Sequence, residues 1–237
     1  MLLAGLTVDI ACFVPDDPTG PQPFFHDRFC VFSELEKLSL APWSFSAEIG
    51  EREAFGHQQA LCAAISEFRK LLLVPRLVTT GIYFNDRLQT IDRLEQVADS
   101  GAQQIVLHVN EDEALRLPSD HVRNLVDGCA AAGIDLRLEF ELGEKFSDNC
   151  CRVARAVEDR QFTVTVLPIR VRPTRLLPIS EAPAVPPKER VRLVLNSSGD
   201  LLMRLQTRDE IVNVLAGNLR GQPLHQLVAA ARASQTV

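Results

Sequence analysis

Residues 103–142, QQIVLHVNEDEALRLPSDHVRNLVDGCAAAGIDLRLEFEL, hold two strand-like segments on either side of a helix-like one. QQIVLHVN (103–110) and IDLRLEFEL (134–142) are short and rich in aliphatic residues, which is typical of strands. The segment between them has Pro118 at its start and Gly133 just past its end, two signals that bound a helix. This order predicts a βαβ unit with two parallel strands.

The same alternation extends in both directions from this unit. Strands are predicted at 6–14, 43–49, 76–84, 103–110, 134–142 and 161–171. Helices are predicted at 33–40, 53–73, 88–101, 118–133 and 149–160. A closed barrel of βα units has eight strands, and the alternation stops after the sixth. The pattern therefore predicts an α/β fold, an open partial (β/α)6 parallel barrel.

The C-terminal part of the chain follows a different pattern. Residues 172–190 are rich in proline and have little periodicity, which predicts a linker. VRLVLNSSGDLLMRL (191–205) is two apolar segments around a Ser-Gly-Asp turn, which predicts a β-hairpin, and PLHQLVAAARA predicts a final short helix. We therefore expect a barrel over 1–171, a linker over 172–190 and a hairpin-plus-helix extension over 191–237.

Composition excludes several classes of protein. The chain has 237 residues, 46% of them hydrophobic, which is enough for a packed core. Its net charge of -6 argues against nucleic acid as the main partner. No apolar run reaches the ~18 residues of a membrane span, and the apolar N-terminus lacks the basic residues of a secretory signal. None of the six cysteines forms a C-x-x-C motif, so we expect a reduced, cytoplasmic setting.

Polar residues alternate with apolar ones on two neighbouring predicted strands. Because successive side chains of a strand point to opposite faces, 134–142 presents leucines and a phenylalanine on one face and charge on the other. The predicted polar set is His108, Asn110, Arg137, Glu139 and Glu141. Unpaired charge is costly to bury, so we interpret the set as lining a water-accessible cleft that binds a peptide or small ligand. Structural ion pairing of Arg137, or partial exposure of the strand, is the alternative.

Two C-terminal segments resemble a known family. VRLVLNSSGDLLMRL is followed by VLAGNLRGQPLHQLV (214–228), in which Gly217, Asn218, Leu219, Arg220, Pro223, Leu224 and Leu227 form a pattern. The pattern is similar to the SPASM or twitch extension of radical-SAM enzymes that modify peptides. In that family the extension usually carries cysteines for auxiliary clusters, whereas residues 191–237 contain none.

The resemblance continues through the N-terminal half and so covers nearly the whole chain. Ser46, Ala47 and Glu48 occupy the position of the Gly-Gly-Glu motif that holds the amino group of SAM. Thr79, Thr80 and Gly81 resemble the end of the family's third strand. The resemblance implies the partial barrel and adds Thr79 and Thr80 to the candidate ligand or partner cleft.

The cluster motif of the family is incomplete in this chain. Cys12 resembles the first cluster cysteine, but Asp16 and Thr19 stand where the second and third should be. Three thiolates hold the family's iron–sulfur cluster, so one cysteine cannot. The two missing glycines of the SAM motif also argue against close approach of SAM. We therefore expect no cluster, no metal site and no SAM.

These departures favour a radical-SAM-like pseudoenzyme over a radical enzyme. We expect no catalytic residues and a role as a partner or substrate-binding subunit, in peptide or natural-product modification. The expected partner is a genuine radical-SAM enzyme or its precursor peptide, and no pattern fixes an oligomeric state. Two alternatives stay open: metal-assisted or acid–base chemistry by His108, Glu139 and Glu141, or binding of SAM or a nucleotide. In the loop over 15–26, Phe24 and Phe25 either fill the vacated cofactor space or anchor a partner.

Overall fold

The fold is a mixed α/β arrangement, given by a computed structural model of the chain. The structure describes residues 2–9, 33–34, 36–37, 46–50, 53–141, 147–157, 163–167, 174–178, 190–196, 198–206, 211–219 and 221–233.

Apart from the helical residues 33–34 and 36–37, the elements within these ranges are ten strands, six α-helices and one 3₁₀ helix. The strands are β1 Leu2–Asp9, β2 Ser46–Gly50, β3 Arg76–Thr79, β4 Gln104–Val109, β5 Asp135–Glu141, β6 Thr163–Leu167, β7 Thr174–Pro178, β8 Arg190–Leu195, β9 Asp200–Gln206 and β10 Ile211–Asn218. The helices are α1 Gln58–Lys70, α2 Arg87–Asp99, α3 Glu111–Arg116, α4 Ser119–Ala132, α5 Asp148–Arg155 and α6 Leu224–Ala233, and the 3₁₀ helix is Ala54–His57.

The chain forms two compact units. The first contains Met1–Arg52, Glu67–Leu73 and Arg172–Val237, and the second contains Glu53–Ser66 and Val74–Val171. This division differs from the predicted domains, because the start and the end of the chain lie in the same unit.

In the second unit β3, β4, β5 and β6 pair side by side, all parallel. Leu77, Ile105 and Leu136 lie next to one another in register and are buried, so one face of these strands contributes to the core. The helices α2 and α4 pack closely, and a Cβ added at Gly128 would lie 2.7 Å from a methyl group of Leu94. The βα alternation predicted from the sequence is confirmed here.

The first unit has a mixed sheet in the order β2-β1-β8-β9-β10-β7. β1 pairs parallel with both β2 and β8, while β8 with β9 and β9 with β10 are antiparallel. The predicted hairpin over 191–205 is therefore present as β8 and β9. It extends the sheet of β1 rather than forming a separate extension.

Gly217 and Asn218 of the C-terminal motif have structural roles in the first unit. Gly217 has φ +150°, and a Cβ there would lie 2.4 Å from Leu227 of α6. Asn218 Nδ2 donates to Asp200 Oδ1 at 2.7 Å and to the Ser198 carbonyl at 3.1 Å. The motif thus seats α6 on the sheet and ties β10 to the β8–β9 turn.

Three elements differ from the sequence prediction. β7 lies inside the range predicted as a linker and pairs parallel with β10, which was not predicted as a strand either. α3 lies between two predicted elements and is only 6 residues long. β7 ends in Pro178, and proline lacks the N–H of a central strand but is accepted at a strand end.

Several predicted features lie outside the described residues. These are Cys12, Asp16 and Thr19 of the cluster motif, the loop over 15–26 with Phe24 and Phe25, and Arg220. Of the helix predicted over 33–40, residues 33–34 and 36–37 are described and are helical. Among the helices that are described, none is long and apolar enough to cross a membrane.

Candidate functional site

The polar residues predicted on β4 and β5 lie on a shared face of the second unit's sheet. His108 is in register with Glu139, and Val106 is in register with Arg137. His108, Arg137 and Glu139 are partly exposed, while Leu107 and Leu138 on the opposite face are fully buried. The predicted alternation is confirmed for these strands.

The polar face is not open along its whole length. Val106 lies between the polar positions and is completely buried. Glu141 ends β5 in register with Leu167 of β6, and its side chain is outside the described part of the structure.

The charged groups on this face have oppositely charged neighbours. Arg76 Nη1 lies 3.6 Å from Glu139 Oε1, and the two side chains are 26% and 17% exposed. Arg137 Nε lies 3.5 Å from Asp135 Oδ2, near the start of β5, with both side chains about half exposed. Pairing of Arg137 with a neighbouring carboxylate was the structural alternative to a ligand-binding role, and the structure contains such a pair.

His108 and Asn110 are both tied to the first turn of α3. Asn110 is the N-cap of α3, and its Oδ1 accepts from the Glu113 N–H at 2.8 Å. Glu113 Oε2 accepts in return from the Asn110 N–H at 2.9 Å and lies 3.5 Å from His108 Nδ1. This reciprocal capping box satisfies two backbone donors at the helix start. The Asn110 side chain is therefore used to cap α3.

Thr79 and Thr80 are held by a glutamate that the sequence did not single out. Glu53 Oε1 accepts from Thr79 Oγ1, and Glu53 Oε2 accepts from both the N–H and the Oγ1 of Thr80, each at 2.7 Å. Glu53 Oε1 also accepts from the Phe55 N–H at 3.4 Å, because Glu53 is the N-cap of the 3₁₀ helix. Both threonine hydroxyls are thus engaged within the protein, and Thr79 is buried.

Glu48, at the position compared with the SAM motif, is buried and engaged in the first unit. Its Oε1 accepts from Thr7 Oγ1 at 3.1 Å and from Arg192 Nη1 at 3.2 Å. Ala47 next to it is also buried. Both hydrogen bonds are at Oε1, so the Glu48 carboxylate already serves as an acceptor within the first unit, and we derive no chemistry through SAM at this position.

Across the described ranges, no group of three or more His, Cys, Asp or Glu side chains is arranged to hold a metal ion. His108 and Glu139 share a face, but each also faces a protein partner, Glu113 and Arg76 respectively. The site thus consists of partly exposed charged side chains, each with an oppositely charged neighbour within the protein.

The sequence offered a signal for one of the residues it missed. Asn110-x-x-Glu113 is a capping-box pattern that predicts the start of α3. Glu53 had no such signal, because its partners Thr79 and Thr80 are 26 and 27 residues away along the chain.

No protein-family model matches the chain, and no curated protein matches it significantly. The relationship to radical-SAM enzymes therefore stays a prediction from the motifs.

Proposed function

We propose that this chain is a non-catalytic relative of radical-SAM enzymes that binds a substrate peptide or a partner enzyme. The proposed binding surface is the polar face of β3, β4 and β5 that carries Arg76, His108, Arg137 and Glu139. An open partial barrel and a cytoplasmic setting are parts of the same proposal. The parallel pairing of β3, β4, β5 and β6 supports the barrel part of the proposal, because a (β/α) barrel is built from parallel strands.

The observation that carries the proposal is the partial exposure of the charged side chains on this face. Arg76 with Glu139 and Arg137 with Asp135 are ion pairs that water still reaches. An ion pair as exposed as Arg137 with Asp135 contributes little to stability, so a ligand can replace one partner of that pair without a large loss. A peptide has charged groups of both signs and can make such exchanges along its length.

Catalysis by the same residues has weaker support. The glutamate that caps α3 faces His108 Nδ1, an arrangement that orients the ring and leaves Nε2 as the nitrogen that could take up a proton. The Glu139 carboxylate lies 3.6 Å from the Arg76 guanidinium, so it already has a partner within the protein.

The test uses the radical-SAM enzyme and the short precursor peptide that we expect to be encoded beside this chain. Calorimetry should show binding of the precursor peptide or the enzyme to the wild-type chain. Glu139→Gln keeps the shape and removes the charge, so it should weaken that binding roughly threefold to tenfold with nearly unchanged melting temperature. Asp120→Asn breaks an exposed pair with Arg123 on α4 and serves as the matched control, with unchanged binding.

Two results would count against the proposal. One is the absence of such a neighbouring enzyme and peptide, or their failure to bind the wild-type chain. The other is normal binding by Glu139→Gln combined with a much lower melting temperature, which would make the Arg76–Glu139 pair purely structural.

A further inference from the structure

The loop between β3 and α2 is firmly held at both of its ends. At its start, Thr80 is bound by Glu53 through two hydrogen bonds of 2.7 Å. Towards its end, Phe84 is completely buried and packs edge-on against Phe55, with ring centroids 5.0 Å apart. The Phe84 carbonyl accepts from Asn124 Nδ2 of α4 at 2.9 Å. The residues between these anchors therefore have little freedom.

The same loop presents apolar side chains to solvent. Ile82 is 51% exposed and Tyr83 is 43% exposed, and Leu88 in the first turn of α2 is 70% exposed. Tyr83 lies over Gly56, where an added Cβ would be 3.0 Å from its hydroxyl oxygen, so the missing side chain leaves room for the ring. Single exposed apolar residues are ordinary, but here three lie within seven residues of the chain, two on the loop and one in the first turn of α2, and we call these three side chains the patch.

The patch lies at the edge of the sheet where ligands of α/β proteins bind. β3, β4 and β5 are parallel, so the segments that follow them begin at one edge, the carboxyl edge. The exposed carboxylates at the starts of the helices there are Asp86, Glu111, Asp112 and Asp148. The basic residue among these helix starts is Arg87, and it is paired with Asp127 at 3.2 Å. The helix starts at this edge therefore carry four exposed carboxylates and one arginine that is already paired.

We propose that Ile82, Tyr83 and Leu88 form a docking surface for a basic peptide segment with an apolar or aromatic anchor. The apolar patch accepts the anchor, and the acidic helix starts attract flanking lysines or arginines. A rigid surface loses little conformational entropy on binding. Even a small contact area can therefore give measurable affinity. This proposal goes beyond the polar sheet face and stands without the family resemblance.

The charge of the surroundings decides between the classes of partner. The whole chain has a net charge of -6, so a second copy would bring more negative charge to an acidic edge. An anionic membrane surface would be repelled in the same way. A cationic peptide is the partner for which this edge is electrostatically complementary.

The test measures fluorescence anisotropy of dye-labelled synthetic hexapeptides with the full chain. Lys-Lys-Leu-Phe-Lys-Lys should bind, and Glu-Glu-Leu-Phe-Glu-Glu and Lys-Lys-Gly-Gly-Lys-Lys should bind much more weakly. Ile82→Ser should weaken binding of the first peptide about tenfold, because anchor residues dominate small interfaces. High salt should weaken this binding as well, because salt screens the attraction between the peptide lysines and the carboxylates at the helix starts.

Two control variants separate this surface from the rest of the molecule. Leu72→Ser removes another exposed leucine, which lies in the first unit, and should leave peptide binding unchanged. Glu67→Gln, which removes a partly exposed carboxylate of the first unit, should also leave it unchanged. Tyr83→Ser, checked for an unchanged melting temperature, should repeat the effect of Ile82→Ser.

The proposal is overturned by equal binding of the acidic and basic peptides, or by unchanged binding in both loop variants. It is also overturned if sedimentation shows a wild-type dimer that Ile82→Ser dissociates, because the occupant would then be a second copy of the chain.

Discussion

Glu53 joins the 3₁₀ helix to the end of β3 through a single carboxylate. It accepts hydrogen bonds from Thr79, Thr80 and Phe55, and it thereby fixes the start of the loop that carries Ile82 and Tyr83. Hydrogen bonds to a carboxylate are stronger than those to a neutral acceptor. Substitution of Glu53 would leave the donors of Thr79, Thr80 and Phe55 without this acceptor. This one residue couples local stability to the shape of the candidate docking surface.

Glu53→Gln should lower the free energy of unfolding by about 1–3 kcal/mol, since the amide nitrogen cannot accept from the donors at that oxygen. Urea unfolding measures this change. Glu67→Gln, which breaks an exposed pair with Lys70, is the control and should change stability by less than about 1 kcal/mol. Equal effects of the two substitutions would show that the Glu53 hydrogen bonds are not important for folding.

Cys129 is a packing residue rather than a reactive thiol. Burial, together with the smaller effect of the Asp135 charge, raises the pKa of the Cys129 thiol from 9.0 to about 12. The folded state therefore favours the protonated thiol. The stability that this contributes is fully present below pH 9.0 and is lost as the pH rises towards 12.

Iodoacetamide should accordingly modify Cys151, which is partly exposed, much faster than Cys129 in the native chain near pH 9. In urea the two cysteines should react at similar rates. Mass spectrometry of tryptic peptides follows both sites. Native labelling of Cys129 as fast as that of Cys151 would contradict its burial.

At the scale of elements, α1 ends in a conformation that suits glycine but is occupied by leucine. Leu72 has φ 58°, and the Leu73 N–H donates to the Phe68 carbonyl at 3.0 Å across the turn. This is the left-handed helix terminus at which glycine is the usual residue. α4 ends in the usual way, with Gly133 at φ 68°.

Leu72→Gly should raise the free energy of unfolding by up to about 1 kcal/mol, because glycine adopts a positive φ without the steric strain that a Cβ atom causes. Leu72→Ala removes nearly the same side chain and keeps the strain, so it should change stability little. Gly133→Ala is the reverse experiment: a Cβ there meets nothing within 4 Å, so its cost of about 1 kcal/mol is backbone strain alone. Chemical denaturation that ranks Leu72→Gly no higher than Leu72→Ala would contradict this account.

The elements also show what the sequence could predict. The six strands β1 to β6 were found because apolar runs and helix signals alternate regularly along the chain. β7 was missed because its proline-rich surroundings resemble a linker and its partner β10 lies more than thirty residues later in the chain. α3 was missed because 6 residues are too few for a helical period to appear. The site was predictable as a polar face, but the pairing of its charges depended on contacts between strands.

At the scale of the whole molecule, the first unit contains segments from both the start and the end of the chain. β1 lies between β2 and β8, so the first strand needs the C-terminal hairpin as a neighbour. Removal of residues 190–237 would expose one edge of β1 and strip the core of Leu193, Leu195 and Met203, which are completely buried. We expect the shortened chain to be insoluble or to lack a cooperative thermal transition, as measured by circular dichroism. A soluble fragment with a sharp transition would contradict the unit assignment.

The central claim is that the chain keeps a binding role without radical chemistry, and iron content tests it most directly. Protein incubated anaerobically with iron and sulfide should retain less than one iron per chain, show no visible absorbance band of a four-iron cluster and leave SAM intact. Of the three positions compared with the cluster motif, only Cys12 is a cysteine, and one thiolate cannot hold such a cluster. Close to four irons per chain, lost in Cys12→Ala together with any cleavage of SAM, would contradict the claim.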